Sequence, residues 1–175
     1  MSAEARRRLA ALEAELAWAL AGGGPAPEGF DAERMRLASG ALVSKRARAA
    51  ARAWPGLAAA LGERFETEFS AFARATPLPG ESGPLADGRA FVRMLRERGR
   101  LPEAGLLESL AVDLRSARVR GGGLRPRRGP WLVAAVLRRP ARLVVGGRIP
   151  RLGERWLVVP LSRRPRFLIS STIRI

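Results

Sequence analysis

The chain has 175 residues, 47% of them hydrophobic, and carries a net charge of +16 without a single histidine, cysteine or tyrosine. That length fits one domain or two small ones, and the apolar fraction is enough to build a core. The missing residues exclude a histidine acid–base pair, a cysteine nucleophile, a thiolate metal site and a disulfide. A transition-metal site is not expected, whereas a carboxylate site for magnesium or manganese stays chemically open.

In chain order, residues 4–21 place Leu9, Leu12, Leu16 and Leu20 at spacings of three and four, the stripe of an amphipathic helix. Arg6-Arg7-Arg8 opens it, but Glu13 and Glu15 interrupt the apolar stretch behind these arginines, so it does not read as a signal peptide. No stretch approaches the ~18 uncharged apolar residues of a membrane span, and the expected location is the cytoplasm. Gly22-Gly23-Gly24-Pro25 stops the helix. Asp31 is suited to cap a second helix, because its carboxylate can accept the orphan N–H groups of the first turn. That helix carries Met35, Leu37, Leu42 and Val43 and ends before Trp54-Pro55. Pro55 suits the first turn of a third helix, along which Leu57, Leu61, Phe65, Phe69 and Phe72 form the apolar side. After the loop at 76–84, a fourth helix is expected over 85–98 and a fifth over 102–116.

The texture then changes. Gly121-Gly122-Gly123 and Pro126 mark a turn, Val119 can begin a strand, and apolar β-prone runs come at 131–137, 142–145, 156–159 and 167–175. The expected fold is α+β: a five-helix region, then a small antiparallel sheet of three or four strands that needs the helices as a second layer. The expected division is a helical unit over 1–116 and an arginine-rich β region over 117–175.

Charge shows the same division. Residues 1–113 hold 16 basic and 15 acidic side chains, whereas residues 114–175 hold 16 arginines and one acid, Glu154. Nearly all the excess therefore lies in the last third, where it would draw an acidic peptide, an acidic protein surface or nucleic acid. Arg151, Arg155 and Arg166 sit at turns and strand ends, as do Arg138, Arg139, Arg142, Arg148, Arg163 and Arg164. With Val144 among them, the latter are the expected peptide-binding residues: a strand edge supplies main-chain pairing and arginine forks read carboxylates. The same charges would also keep sheet edges from aggregating, and composition does not separate the two roles.

Other patterns are weaker. The glycine clusters at 22–24, 121–123 and 146–147 lack the phosphate-binding and dinucleotide-binding spacings and read as turns. Glu63, Glu66 and Glu68 lie on one helix and read as a solvated face rather than a catalytic acid pair. Lys45, Arg48 and Arg52 form a basic ridge with Arg46 beside it, but no helix-turn-helix accompanies them. Trp131, Trp156 and Phe167, at one per strand, read as core rather than as a base-stacking platform.

The helical half also resembles a known family. Its marks are Leu9, Leu12 and Leu16 on the opening helix, Ala53-Trp54-Pro55-Gly56-Leu57, Leu61-Gly62-Glu63-Arg64-Phe65, Phe69, Phe72, Pro84-Leu85 and Phe91-Val92-Arg93-Met94-Leu95. Over residues 5–115 this is similar to the domain, labelled DNA-binding, of partner proteins of the multinuclear non-haem iron-dependent oxidative enzymes. It looks nearest to an actinobacterial version that also occurs fused behind such an enzyme. The resemblance implies a non-catalytic subunit that forms a heterodimer with the iron enzyme and helps recruit a ribosomally made precursor peptide for modification. It implies that the iron is held by the partner, with no cofactor in this chain. Nucleic-acid binding through the basic region is the alternative.

Overall fold

The structure is a computed structural model that describes residues 2–21, 24–76, 83–119, 123–138 and 140–161. Among these the chain forms six helices followed by two small antiparallel sheets. Helix α1 (Ala3–Leu20) is capped by Ser2, whose hydroxyl accepts the Ala5 N–H at 3.1 Å. Helix α2 (Ala32–Ala53) starts as its sequence dictates, with the Asp31 carboxylate accepting from Glu33 and Arg34 at 2.9 and 3.0 Å.

The single third helix expected from Pro55 to Phe72 is two helices, α3 (Pro55–Leu61) and α4 (Arg64–Ala75). Gly62 breaks it with φ 57° and ψ −134°, a conformation essentially reserved for glycine. The regular spacing of Leu57, Leu61, Phe65 and Phe69 conceals the break, because both segments turn their apolar sides to the same core. Helices α5 (Pro84–Glu97) and α6 (Glu103–Arg115) complete the helical layer. The raised count of six thus comes from one glycine.

Trp54, Phe69, Phe91, Leu57, Leu95 and Leu114 are fully buried. Phe65, Phe69, Phe72 and Phe91 meet at centroid separations of 5.2–5.8 Å, mostly edge to face, the arrangement ring quadrupoles favour. Trp54 closes the core over Gly88, where no side chain intrudes, and donates its indole N–H to the Leu85 carbonyl at 3.1 Å. The Glu108 carboxylate of α6 accepts the N–H groups of Gly56 and Leu57 and so caps α3 from another helix.

Helix α6 runs directly into β1 (Ser116–Arg118), which pairs with β2 (Leu124–Pro126). The second sheet is a meander of β3 (Trp131–Arg138), β4 (Ala141–Ile149) and β5 (Gly153–Pro160), in that spatial order. Strand β4 continues through Gly146-Gly147, a pair whose composition reads as a turn. The run expected at 167–175 lies outside the described residues. Strands β3 and β4 pack on α6, and Leu137 and Val144 are buried there.

Candidate functional site

The register of the three-stranded sheet sorts its side chains into two faces. Because successive strand residues point to opposite sides, the cross-strand rows Val133–Gly146–Trp156, Ala135–Val144–Val158 and Leu137–Arg142–Pro160 share the face turned to α6. The rows Leu132–Gly147–Arg155, Ala134–Val145–Leu157 and Val136–Leu143–Val159 share the outer face. That outer face is apolar and open: Leu132 is 73% exposed, and Val136, Leu157 and Val159 are exposed beside it. Among the described residues β3 and β5 each pair only with β4.

The two adjacent glycines divide their work between the faces. A Cβ at Gly146 would lie 2.5–2.8 Å from the Trp156 ring, so its absence lets that indole cover the inner face. Gly147 faces outward between Leu132 and Arg155, with Leu132 Cδ2 3.1 Å from where its Cβ would lie, and lines a hollow there. An open cavity of about 760 Å³ results, lined by Trp131, Leu132, Gly147, Ile149, Leu152 and Arg155 among others. The turn from β4 to β5 forms its rim. Arg151 holds φ 73°, a left-handed conformation unusual for a side-chain-bearing residue, and Leu152 next to it is 66% exposed.

The arginines expected to bind peptide fall in three groups. Arg138 is exposed at the end of β3. Arg142 and Arg148 are half-buried and engaged: Arg142 pairs with Glu103 of α6, and Arg148 donates to the Arg127 carbonyl at 3.3 Å. Val144, between them, is buried on the inner face. Arg139, Arg163 and Arg164 lie outside the described residues. The outward arginine of the hollow is Arg155, which the sequence places at a strand end; the face it takes follows from register, which composition does not carry.

A second set of arginines fastens the sheet to the helices. The Arg115 guanidinium grips Glu154 through two hydrogen bonds of 2.7 and 2.8 Å. This contact holds the Glu154 carboxyl below its ordinary pKa and raises that of Arg115. Arg127 stacks 3.7 Å from the centroid of Trp131 and donates to the Asp113 carbonyl at 2.9 Å. Arg89 pairs with Asp113; burial lowers its pKa, and the nearby charges of Arg118, Arg127 and Arg93 act in the same direction.

The helical layer leaves a second apolar surface. Helix α1 packs on α2 through its C-terminal end, where Ala19 is buried, while Leu9, Leu12 and Trp18 are exposed. The expected stripe of α1 therefore exists as a helix face but does not enter the core. A cavity of about 720 Å³ lies beside Ala14, Trp18, Leu42 and Lys45. Of the basic ridge, Lys45, Arg48 and Arg52 are not buried, whereas Arg46 turns inward to Asp87. Glu63 and Glu66 are exposed, and Glu68 pairs with Arg100 at 2.6 Å. Among the described residues no three His, Cys, Asp or Glu side chains are gathered as metal ligands, and no helix is long and apolar enough to cross a membrane.

The helical layer thus carries a small sheet on α6, and among the described residues both leave apolar side chains exposed. Residues 10–97, half of the chain, match the family described as SCO6045-like, C-terminal domain, and the chain belongs to that family. The matched stretch reaches from α1 to the end of α5 and leaves the sheets outside. A UPF0276 protein of Streptomyces avermitilis is 38% identical over 100 residues, 57% of this chain and 20% of the relative. The chain therefore spans about a fifth of that relative's length. No solved structure matches.

Proposed function

We propose that this chain is a non-catalytic partner subunit that binds a multinuclear non-haem iron-dependent oxidative enzyme and helps recruit its ribosomally made precursor peptide. The carrying observation is the pair of exposed apolar surfaces among the described residues, one on α1 and α2 and one on the sheet. A recruiting subunit needs two contacts, one for the enzyme and one for the peptide, and surfaces of this kind mark interaction sites. The near-neutral helical layer is assigned to the enzyme. The arginine-rich sheet, whose outer strands pair on one edge only among the described residues, is assigned to an extended acidic peptide. The curated relative supports the reading in one respect: it carries a similar stretch within a chain about five times as long as the match, so such a stretch does occur joined to further protein.

The test is reconstitution with the iron oxidase and precursor of the native host. The chain is expected to co-elute with the enzyme and to bind the precursor in a manner that weakens with salt. Failure to bind either at low salt would remove the proposal. The second reading is a nucleic-acid-binding regulator that uses the basic C-terminal region, where residues 114–175 hold 16 arginines and one acid. That reading requires duplex DNA to displace the precursor and to bind with a steep salt dependence from several phosphate contacts.

A further inference from the structure

We infer that the hollow at the Leu132–Gly147–Arg155 end of the outer sheet face is an anchor subsite, which takes a bulky apolar side chain from an acidic peptide. This rests on the peptide-recruiting reading above and names what the sheet selects. Three features point to it. The hollow is made by the chain rather than left by poor packing, since Gly147 and Gly153 remove side chains from the rows that Leu132 and Ile149 would otherwise share with neighbours. Its walls are apolar, and Leu152 is held over it by a turn with Arg151 in a left-handed conformation, which costs of order 1 kcal/mol or more and persists only where the surroundings impose it. Its polar margin is cationic, with Arg155 exposed on the same face and Arg151 exposed in the turn.

Charge decides the occupant. A second copy laid face to face would bring two arginine margins together in a region with one acid, Glu154, and that acid already pairs with Arg115. A peptide with acidic residues flanking a phenylalanine or leucine would instead bury its anchor and neutralise the arginines. The cavity volume of about 760 Å³ accommodates such a side chain with its neighbours.

The experiment uses the full chain and fluorescein-labelled synthetic peptides read by anisotropy. One peptide places a central phenylalanine among aspartate and glutamate, a second replaces the phenylalanine with serine, and a third replaces the acids with lysine. The phenylalanine peptide is expected to bind roughly tenfold or more tighter than the serine peptide, the effect of burying one aromatic side chain. The lysine peptide should bind weakest. Gly147→Val places a branched side chain suited to a strand against Leu132 and into the hollow, and should erase the preference for phenylalanine over serine. Leu152→Ser, at an exposed rim position, should lessen the preference as well and covers the case in which Gly147→Val does not fold. Equal binding of the phenylalanine and serine peptides, or a preference that survives both variants, overturns the subsite. Lysine peptides binding as well as acidic ones overturn the choice of partner. The precursor of the native host is titrated in parallel: if it binds while the anchor preference is absent, the subsite alone falls. If neither it nor any acidic peptide binds, the recruiting role falls with it.

Discussion

Arg46 is a surface-ridge residue by sequence and an interior one by structure. Its guanidinium makes a two-point pair with Asp87 at 2.7 and 2.9 Å and also donates to the carbonyls of Ala73 and Thr76. One side chain thus joins α2 to the end of α4 and the start of α5. Both partners are largely removed from water, so removing the carboxylate strands a buried charge. Asp87→Ala is expected to lower stability by about 3–5 kcal/mol in urea unfolding, and a loss no larger than that of a surface salt bridge would refute this role. The helix spacing places Lys45, Arg48 and Arg52 correctly on one ridge, because periodicity fixes direction around an axis. Asp87 is invisible to it, being 41 positions away and on another helix. Glu154 carries a pH prediction. Its carboxyl is depressed by the hydrogen bonds from Arg115, so its contribution is fully present above the unfolded carboxylate pKa, about 4.3, and is lost as pH falls through the lower folded value. Thermal melts from pH 7 downward should therefore show a decline that Glu154→Gln reduces; an identical slope in the variant would contradict the linkage.

Among the elements, the α3–α4 break and the course of β4 show what one-dimensional patterns hold and what they omit. The stripe Leu57, Leu61, Phe65, Phe69 predicts burial correctly at all four positions. It cannot reveal that Gly62 adopts φ 57° between them. Gly62→Ala should cost about 1–3 kcal/mol by denaturant midpoint, since any side chain is strained there whatever the surrounding space. An unchanged midpoint would mean that the two helices can fuse. Gly146-Gly147 misleads in the opposite sense, because paired glycines commonly mark turns, whereas here both lie inside a strand, Gly146 under Trp156 on the inner face and Gly147 beside Leu132 at the outer hollow. The strand alternation around them is readable, but which face is covered depends on α6, and no local pattern states that. The outer hollow, with Leu132, Gly147, Leu152 and Arg155, is for that reason beyond sequence reading. So is the exposure of Leu9 and Leu12, since an amphipathic stripe announces an apolar face and not its partner.

At the scale of the whole molecule, the division of charge read from the sequence coincides with the division between helices and strands. Several arginines of the basic third are internal fasteners: Arg115 to Glu154, Arg142 to Glu103, Arg127 to Trp131. The cationic field still surrounds an apolar sheet face, while the helical layer offers a second apolar face of its own. The proposed function gives each of these faces its own partner. The most direct measurement is light scattering on a size-exclusion column with the chain, the iron oxidase of the native host and its precursor, alone and mixed. The expected result is a heterodimer of chain and oxidase that retains the precursor at low salt and releases it as salt rises, with the oxidase alone retaining less. Separate migration of chain and oxidase at low salt, with precursor retention unchanged by adding the chain, would contradict it.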